Sequence, residues 1–285
     1  MRSSRPLAPE AAAPSAPLRF RSPRLMGVVN VTPDSFYPGS RTASTDAAVE
    51  RGLRLVEEGA DFLDVGGQST RPGSDPVPLE EERARVLPVI AALAKKAKTP
   101  ISVDTDKARV AAEALDAGAR IVNDVTALRG DKDMARVAAR AERVVLMHML
   151  GDSPKTMQKD PRYGDVVGEV REFLAERLDA FAAAGGDRSR AWIDPGIGFG
   201  KTAEQNLALI KHAGELASLA PVLLGVSRKS FLSKVSPDDG PEDRLPGSLA
   251  LALWGGLAGV EVLRVHDVAA TRRALATFAA AAGAR

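Results

Sequence analysis

Short apolar runs recur along the chain, and each ends on a polar side chain. The runs close on Asn30, Asp64, Asp104, Asn123, His148, Asp194, Ser227-Arg228 and Arg264-Val265-His266, eight in all. The strands they predict cover 25–30, 62–65, 101–104, 121–123, 144–148, 191–194, 222–226 and 260–265. Segments between them are long enough for helices, and 166–184 and 204–219 carry apolar residues at helical spacing. Strands that alternate with helices predict a parallel α/β sheet. Eight strands, nearly all with polar C-terminal ends, favour a closed (β/α)8 TIM barrel over an open doubly wound sheet. Its active site is then expected at the C-terminal ends of the strands.

Local punctuation agrees with this alternation. Gly59-Ala60-Asp61, Gly118-Ala119-Arg120 and Gly259 each precede a strand, as expected of a glycine in the left-handed turn that ends a helix. Pro100 and Pro221 stand at strand entrances, where a missing N–H is tolerated. The Ala-rich segment from Ala269 onward is interrupted by Arg272 and Arg273 and reads as an amphipathic helix.

Composition narrows the partners. The 285 residues carry a net charge of +2, but the first 24 hold five Arg and a single acid. Beyond that segment acids slightly outnumber bases, which argues against nucleic acid as the main partner. The segment 1–24 is also rich in Pro and Ala, and is expected to be a disordered leader before a single domain over 25–285. Its prolines break up the apolar core that a secretory signal needs, and no apolar run is long enough to span a membrane. A cytoplasmic location is therefore expected. Cys is absent, which removes thiolate nucleophiles, disulfides and Cys-based zinc sites. The histidines, His148, His212 and His266, lack metal-ligand spacing; His212 reads as a solvated helix residue.

Several strand-end segments carry candidate chemistry, each with a plainer alternative. The cassette from Asp194 to Thr202 looks like a phosphate-binding loop, but Pro195 stands where that pattern requires its first glycine. It reads instead as a glycine loop that lets backbone approach a ligand, with Asp194 at the rim, or as an ordinary turn. Asn30 offers a hard oxygen suited to Mg²⁺ beside a phosphate, or caps its strand through an Asx-turn. Ser69, Thr70 and Arg71, followed by Pro72-Gly73, make an anion clamp or place an Arg on the surface. Asp104 and Asn123 together suit a flat heterocycle with donor and acceptor edges, or each alone hydrogen-bonds loop backbone. Period-two alternation sends Arg264 and His266 to one side, where both can face an anion, or His266 is a structural strand-end residue.

In order and in content these segments resemble the dihydropteroate synthase family. The matching pieces are 30–36, 64–73, 102–105, 123–125, 146–149, 154–158, 194–202, 227–231, 247–249 and 264–268, spread from about Leu25 to the C-terminus. The resemblance implies condensation of 6-hydroxymethyl-7,8-dihydropterin diphosphate with p-aminobenzoate, a transferase reaction that releases pyrophosphate. It implies that Asp104, Asn123, Asp194 and Lys229 hold the pterin. Thr70, Arg71, Arg264 and His266 would bind the diphosphate, and Asn30 would reach Mg²⁺. Phe36, Thr70, Pro72, Phe199 and Ser230 would form the p-aminobenzoate pocket. Arg71, Lys229 and Asp104 are the residues expected to carry catalysis. A homodimer is implied too, with 248–257 as a candidate surface; packing of that segment on its own barrel is the equal alternative.

Two departures stand out. Pro38 occupies a position where the family usually carries Asp, and Gln68 one where it usually carries Glu. Gln68 is expected to remove a charge beside the Ser69-Thr70-Arg71 clamp. The altered first loop leaves a competing expectation, a paralogue that binds pterin without turnover. A pterin-dependent methyltransferase is a third, which would have little use for Arg71, Arg264 and His266 as a diphosphate grip.

Overall fold

A computed structural model of the chain describes residues 19–31, 41–71, 73–236 and 244–283. Its strands are β1 (Arg24–Asn30), β2 (Phe62–Gly66), β3 (Ile101–Asp104), β4 (Ile121–Asp124), β5 (Arg143–Met147), β6 (Ala191–Asp194), β7 (Leu223–Leu224) and β8 (Val262–Val265). They form one sheet in the order β6-β5-β4-β3-β2-β1-β8-β7, with parallel neighbours throughout. A parallel bridge between Ile193 and Val222 joins the two ends and closes the ring. This is the (β/α)8 barrel that the alternation predicts.

Helices run between the strands: α1 (Arg41–Glu57), α2 (Leu79–Lys96), α3 (Ala108–Asp116), α4 (Met134–Ala138), α5 (Val166–Ala183), α6 (Ala203–Lys211), α7 (Ala213–Leu216), α8 (Leu232–Val235), α9 (Leu245–Leu257) and α10 (Val268–Gly283). The helical spacing over 204–219 resolves into α6 and α7, broken at His212. Among the described residues no helix is long and apolar enough to cross a membrane.

Strand alternation divides the core in two. Leu25, Leu63, Val103, Val122, Leu146, Ile193, Leu224 and Leu263 point outward and join the large core beneath the helices. Met26, Phe62, Ile121, Val145, Trp192, Leu223 and Val262 point inward and fill the barrel axis. Two residues further along each strand the same inward direction recurs. There stand Val28, Asp64, Asn123, Met147, Asp194, Gly225 and Arg264. The polar mouth is thus the next layer above an apolar plug, and the fold places it without any special local structure.

Three expectations shift. Asp64 does not close β2; the strand continues to Gly66 and leaves Asp64 inside the barrel, fully buried. The ladder of β7 is confined to Leu223–Leu224, because the chain from Gly225 turns toward a left-handed Arg228 with φ +57°. The domain also starts before Leu25. Arg24 already pairs with Val262 in β1, and its guanidinium lies 4.9 Å from the Phe62 ring centroid and 5.5 Å from that of Trp192. Upstream, the Phe20 ring sits 4.9 Å from that of Phe278, and Arg21 pairs with Glu261 at 3.0 Å. Residues 19–24 of the expected leader therefore pack on the bottom of the barrel, whereas 1–18 lie outside the described residues.

Candidate active site

Four side chains form a hydrogen-bonded chain across the mouth. Arg264 donates through Nε to Asp64 Oδ2 at 2.6 Å and through Nη2 to Asp104 Oδ2 at 2.8 Å. Asn123 Nδ2 donates to the same Asp64 Oδ2 at 3.1 Å. The strand register explains the assembly: Asp104 pairs with Asn123 across β3 and β4 and with Gly66 across β2 and β3. A half-buried guanidinium between two buried carboxylates satisfies charges that could not be left alone there. Burial still pushes Asp104 up to about 7, against the pull of Arg264 and with a further push from Asp64.

Asp194 faces this group from β6. Its Oδ1 accepts from Gly196 N at 2.7 Å, and burial raises its pKa. Lys229, from the loop after β7, lies with Nζ 4.5 Å from the Phe199 ring centroid. Burial lowers Lys229 to about 8, with Asp194 acting in the opposite direction. Gly225 opens space between Asp194 and Arg264, since a Cβ there would come within 3.9 Å of Asp194 Oδ2 and 4.0 Å of Arg264 Cβ. Phe199 itself is buried with Val125, Met147, Met149 and Met157 in an apolar cluster. The mouth thus offers carboxylate and amide oxygens from β3, β4 and β6 beside a cation resting on an aromatic face.

The glycine loop after β6 is tied down rather than loose. Lys201 is buried at its centre and donates to Gly196 O at 3.0 Å, to Phe199 O at 2.9 Å and to His148 Nδ1 at 2.8 Å. Its resemblance to a phosphate-loop lysine is therefore misleading, since the ammonium points into the protein. His148 gains the partner that its sequence neighbourhood did not show. Burial, followed by the charge of Lys201, lowers His148 to about 3.

Next around the ring, the loops after β7 and β8 are cross-linked. Arg228 pairs with Asp267 through two bonds, Nε to Oδ2 at 2.8 Å and Nη2 to Oδ1 at 2.6 Å. Ser227 Oγ lies 3.1 Å from His266 Nδ1 and accepts from His266 N at 3.2 Å. Burial and the nearby Arg264 hold His266 down to about 3.

The pterin binding enzyme family matches residues 26–266. This chain belongs to that family. It is 42% identical over 248 residues to the dihydropteroate synthase of Synechocystis sp., covering 86% of each sequence. A solved Xanthomonas albilineans dihydropteroate synthase with 4-aminobenzoic acid superposes with a TM-score of 0.86 at 48% identity, over 92% of this chain and 94% of the other. The same enzyme in complex with 7,8-dihydropteroate gives 0.82 at 45% identity, over 92% and 95%. With these relatives the chain takes its place among the dihydropteroate synthases, transferases of folate biosynthesis.

Of the residues that the dihydropteroate synthase resemblance implies, the structure brings Asp104, Asn123, Asp194, Lys229, Arg264 and Phe199 to one mouth, with His266 at its edge. Arg71 is exposed in the loop after β2, Thr70 next to it is half-buried, and Ser230 is exposed after β7. Phe36, Pro38 and Pro72 lie outside the described residues. Gln68 directly precedes Ser69 of the clamp, and its side chain has partners of its own. Its Oε1 accepts from Val77 N at 2.9 Å and Lys107 Nζ at 2.9 Å, because the loop turns it toward α2 and α3. The charge that Gln68 lacks is one near Lys107, which already has Glu82 at 2.6 Å. Asp64 and Lys201 are the residues sequence reasoning passed over; the inward parity of Asp64 with Phe62 was the signal available for the first.

Asn30 ends β1 on the inward parity, half-buried at the mouth. It supplies one neutral hard oxygen, while Asp64 and Asp104 are committed to Arg264. Among the described residues no cluster of three His, Cys, Asp or Glu side chains forms a metal cage. A single amide oxygen fits Mg²⁺ held chiefly by substrate phosphates and water.

Proposed function

We propose that this mouth joins p-aminobenzoate to the methylene carbon of 6-hydroxymethyl-7,8-dihydropterin diphosphate. The carbon–oxygen bond to the diphosphate breaks, the arylamine nitrogen bonds to the methylene, and one amine proton is lost as pyrophosphate departs. The observation that carries this reading is the row of oxygens from Asp104, Asn123 and Asp194, held above an apolar plug and beside Lys229. The amino and N–H edge of a pterin presents donors in parallel, and a ring without them would leave buried carboxylates unpaired.

Asp104, Asn123 and Asp194 accept from that edge, and Lys229 donates to the ring's acceptor side. Arg71, Thr70, His266 and the free side of Arg264 receive the diphosphate, with Asn30 beside it. Mg²⁺, when bound there, would neutralise charge on the leaving group. Phe199, Thr70 and Ser230, with Phe36 and Pro72, would seat p-aminobenzoate. Arg71, Lys229 and Asp104 thus carry catalysis by positioning and charge neutralisation, without a protein nucleophile.

A homodimer and a cytoplasmic location belong to the same proposal. The 248–257 stretch falls in α9, where Ser248, Ala252, Gly255 and Gly256 face the barrel and Trp254 is exposed. The exposed part of Trp254, whose Nε1 donates to Ile210 O at 3.1 Å, supports a dimer contact on this helix. The deciding assay combines purified protein, the pterin diphosphate, p-aminobenzoate and Mg²⁺, and follows pyrophosphate release. Turnover that requires both substrates is expected. Pterin binding without turnover would overturn the reading.

A further inference from the structure

Asp64 is fully buried and is itself assigned to no substrate, yet it bonds directly to residues that are. Its Oδ2 receives Asn123 Nδ2 and Arg264 Nε together, and Arg264 passes on to Asp104. An amide side chain presents either its oxygen or its NH₂ to a ligand, and the choice follows from whatever binds the other end. Because a carboxylate oxygen can only accept, Asp64 takes the NH₂ of Asn123 and turns Asn123 Oδ1 away from itself. Arg264 likewise occupies Asp104 Oδ2 and leaves Oδ1 for a ligand.

We propose that Asp64 is the positioning residue that sets the polarity of the ring-reading edge, fixing Asn123 and Asp104 as acceptors for a donor-bearing heterocycle. This deepens the pterin reading above and rests on it. The other oxygen of Asp64, Oδ1, has no hydrogen-bond partner in the protein, and neither has Ser102 Oγ, its register partner on β3. An amide at position 64 can keep its oxygen toward Asn123 and Arg264 and put its NH₂ where Oδ1 now makes no bond. That makes Asp64→Asn a conservative variant and Asp64→Ala a disruptive one.

The test measures steady-state kinetics and folding of the full chain for Asp64→Ala, Asp64→Asn, Asn123→Ala and Asn123→Asp. Asp64→Ala should raise KM for the pterin diphosphate about tenfold or more, the scale of hydrogen bonds to charged groups. KM for p-aminobenzoate should stay within about twofold, and Asp64→Asn should recover most of the loss. Asn123→Asp keeps an acceptor toward the ring but faces Asp64 with a second carboxylate. It should lose pterin affinity about tenfold, and the double variant Asp64→Asn/Asn123→Asp, which restores a donor opposite an acceptor, should regain part of it. That pair of variants decides the matter if Asp64→Ala does not fold. The proposal is overturned if Asn123→Asp binds pterin diphosphate as the parent does, or if Asp64→Asn loses as much as Asp64→Ala. If Asn123→Ala also leaves pterin binding unchanged, the placement of the pterin is wrong and the inference falls with it. If Asn123→Ala weakens binding but the Asp64 variants do not, only the inference fails.

Discussion

Lys201 Nζ lies 2.8 Å from His148 Nδ1, and this contact joins the loops after β5 and β6 across the back of the mouth. The three protons of an ammonium match the three nearest acceptors, His148 Nδ1, Gly196 O and Phe199 O. Lys201→Met keeps the length of the side chain and removes every donor. It should destabilise the protein by about 2 kcal/mol or more, since buried acceptors lose their partners. Urea unfolding checks this, and a change within about 0.5 kcal/mol of the parent would show the contact to be dispensable. Burial lowers Lys201 from 10.5 to about 7, so the unfolded chain holds more protons in that interval. Its contribution to stability therefore rises with pH from about 7 upward, and that slope should flatten in Lys201→Met.

Gly196 is the tightest point of the same loop. It has φ +69°, and a Cβ there would come 1.7 Å from the carbonyl oxygen of His148. Gly259 has a comparable φ of +76° but nothing within 4 Å of the added carbon. Gly259→Ala should cost about 1 kcal/mol from backbone strain alone. Gly196→Ala carries the same strain plus a clash with backbone that cannot swing aside, and should cost more than about 3 kcal/mol or prevent folding. Thermal melts of the two variants compare these cases; equal losses would mean that the loop can shift to admit a side chain.

The barrel was legible because period-two and helical spacing report directly which face each element buries. That Asp104, Asn123 and Asp194 share one mouth was legible because they sit at strand ends on inward parity. Asp64 was misread as a strand end, since β2 runs on through Gly66 and only the register with β3 shows that. Lys201 was hidden for a different reason: a Lys after a glycine loop looks the same in sequence whether it points at a ligand or at its own carbonyls. Gln68 reads in sequence only as a neighbour of the clamp, and its bond to Lys107, a contact 39 positions away, is not legible there. In each case a contact between residues distant in sequence decides the role.

The ionisation of Asp104 should govern pterin affinity. Burial raises its carboxyl to about 7, with Arg264 opposing, so its accepting, charged form develops as pH rises through that value. The kcat/KM for the pterin diphosphate should therefore climb between about pH 6 and 8. Asp104→Asn should remove that limb and lower the plateau. A limb that persists unchanged in this variant would assign the titration to another group.

His148 and His266 should both stay neutral well below the usual imidazole range, since burial holds each near 3. An NMR titration of the imidazole Cε1–H signals tests this directly, with no protonation of either ring expected between pH 8 and 5. The folded value lies below the unfolded one, so the stability these rings contribute is present above about 6.5 and is lost as pH falls toward 3. Diphosphate placed against His266 should raise its pKa, because an adjacent anion favours imidazolium. An unshifted His266 in the presence of pterin diphosphate would remove it from the anion site.

Arg71 and Arg264 should separate function from folding. Arg71 is exposed, and its guanidinium makes no salt bridge among the described residues, so Arg71→Ala should leave the melting temperature within about 1 °C. Turnover should fall by about 10- to 100-fold if the guanidinium meets the departing diphosphate. Arg264→Ala removes the cation between Asp64 and Asp104 at 2.6 and 2.8 Å and leaves two buried carboxylates facing each other. Breaking such a pair costs about 3–5 kcal/mol, so this variant should lose stability and pterin binding together. Unchanged turnover in Arg71→Ala would take the loop after β2 away from the diphosphate. An undiminished melting temperature in Arg264→Ala would mean that Asp64 and Asp104 share a proton once the arginine is gone.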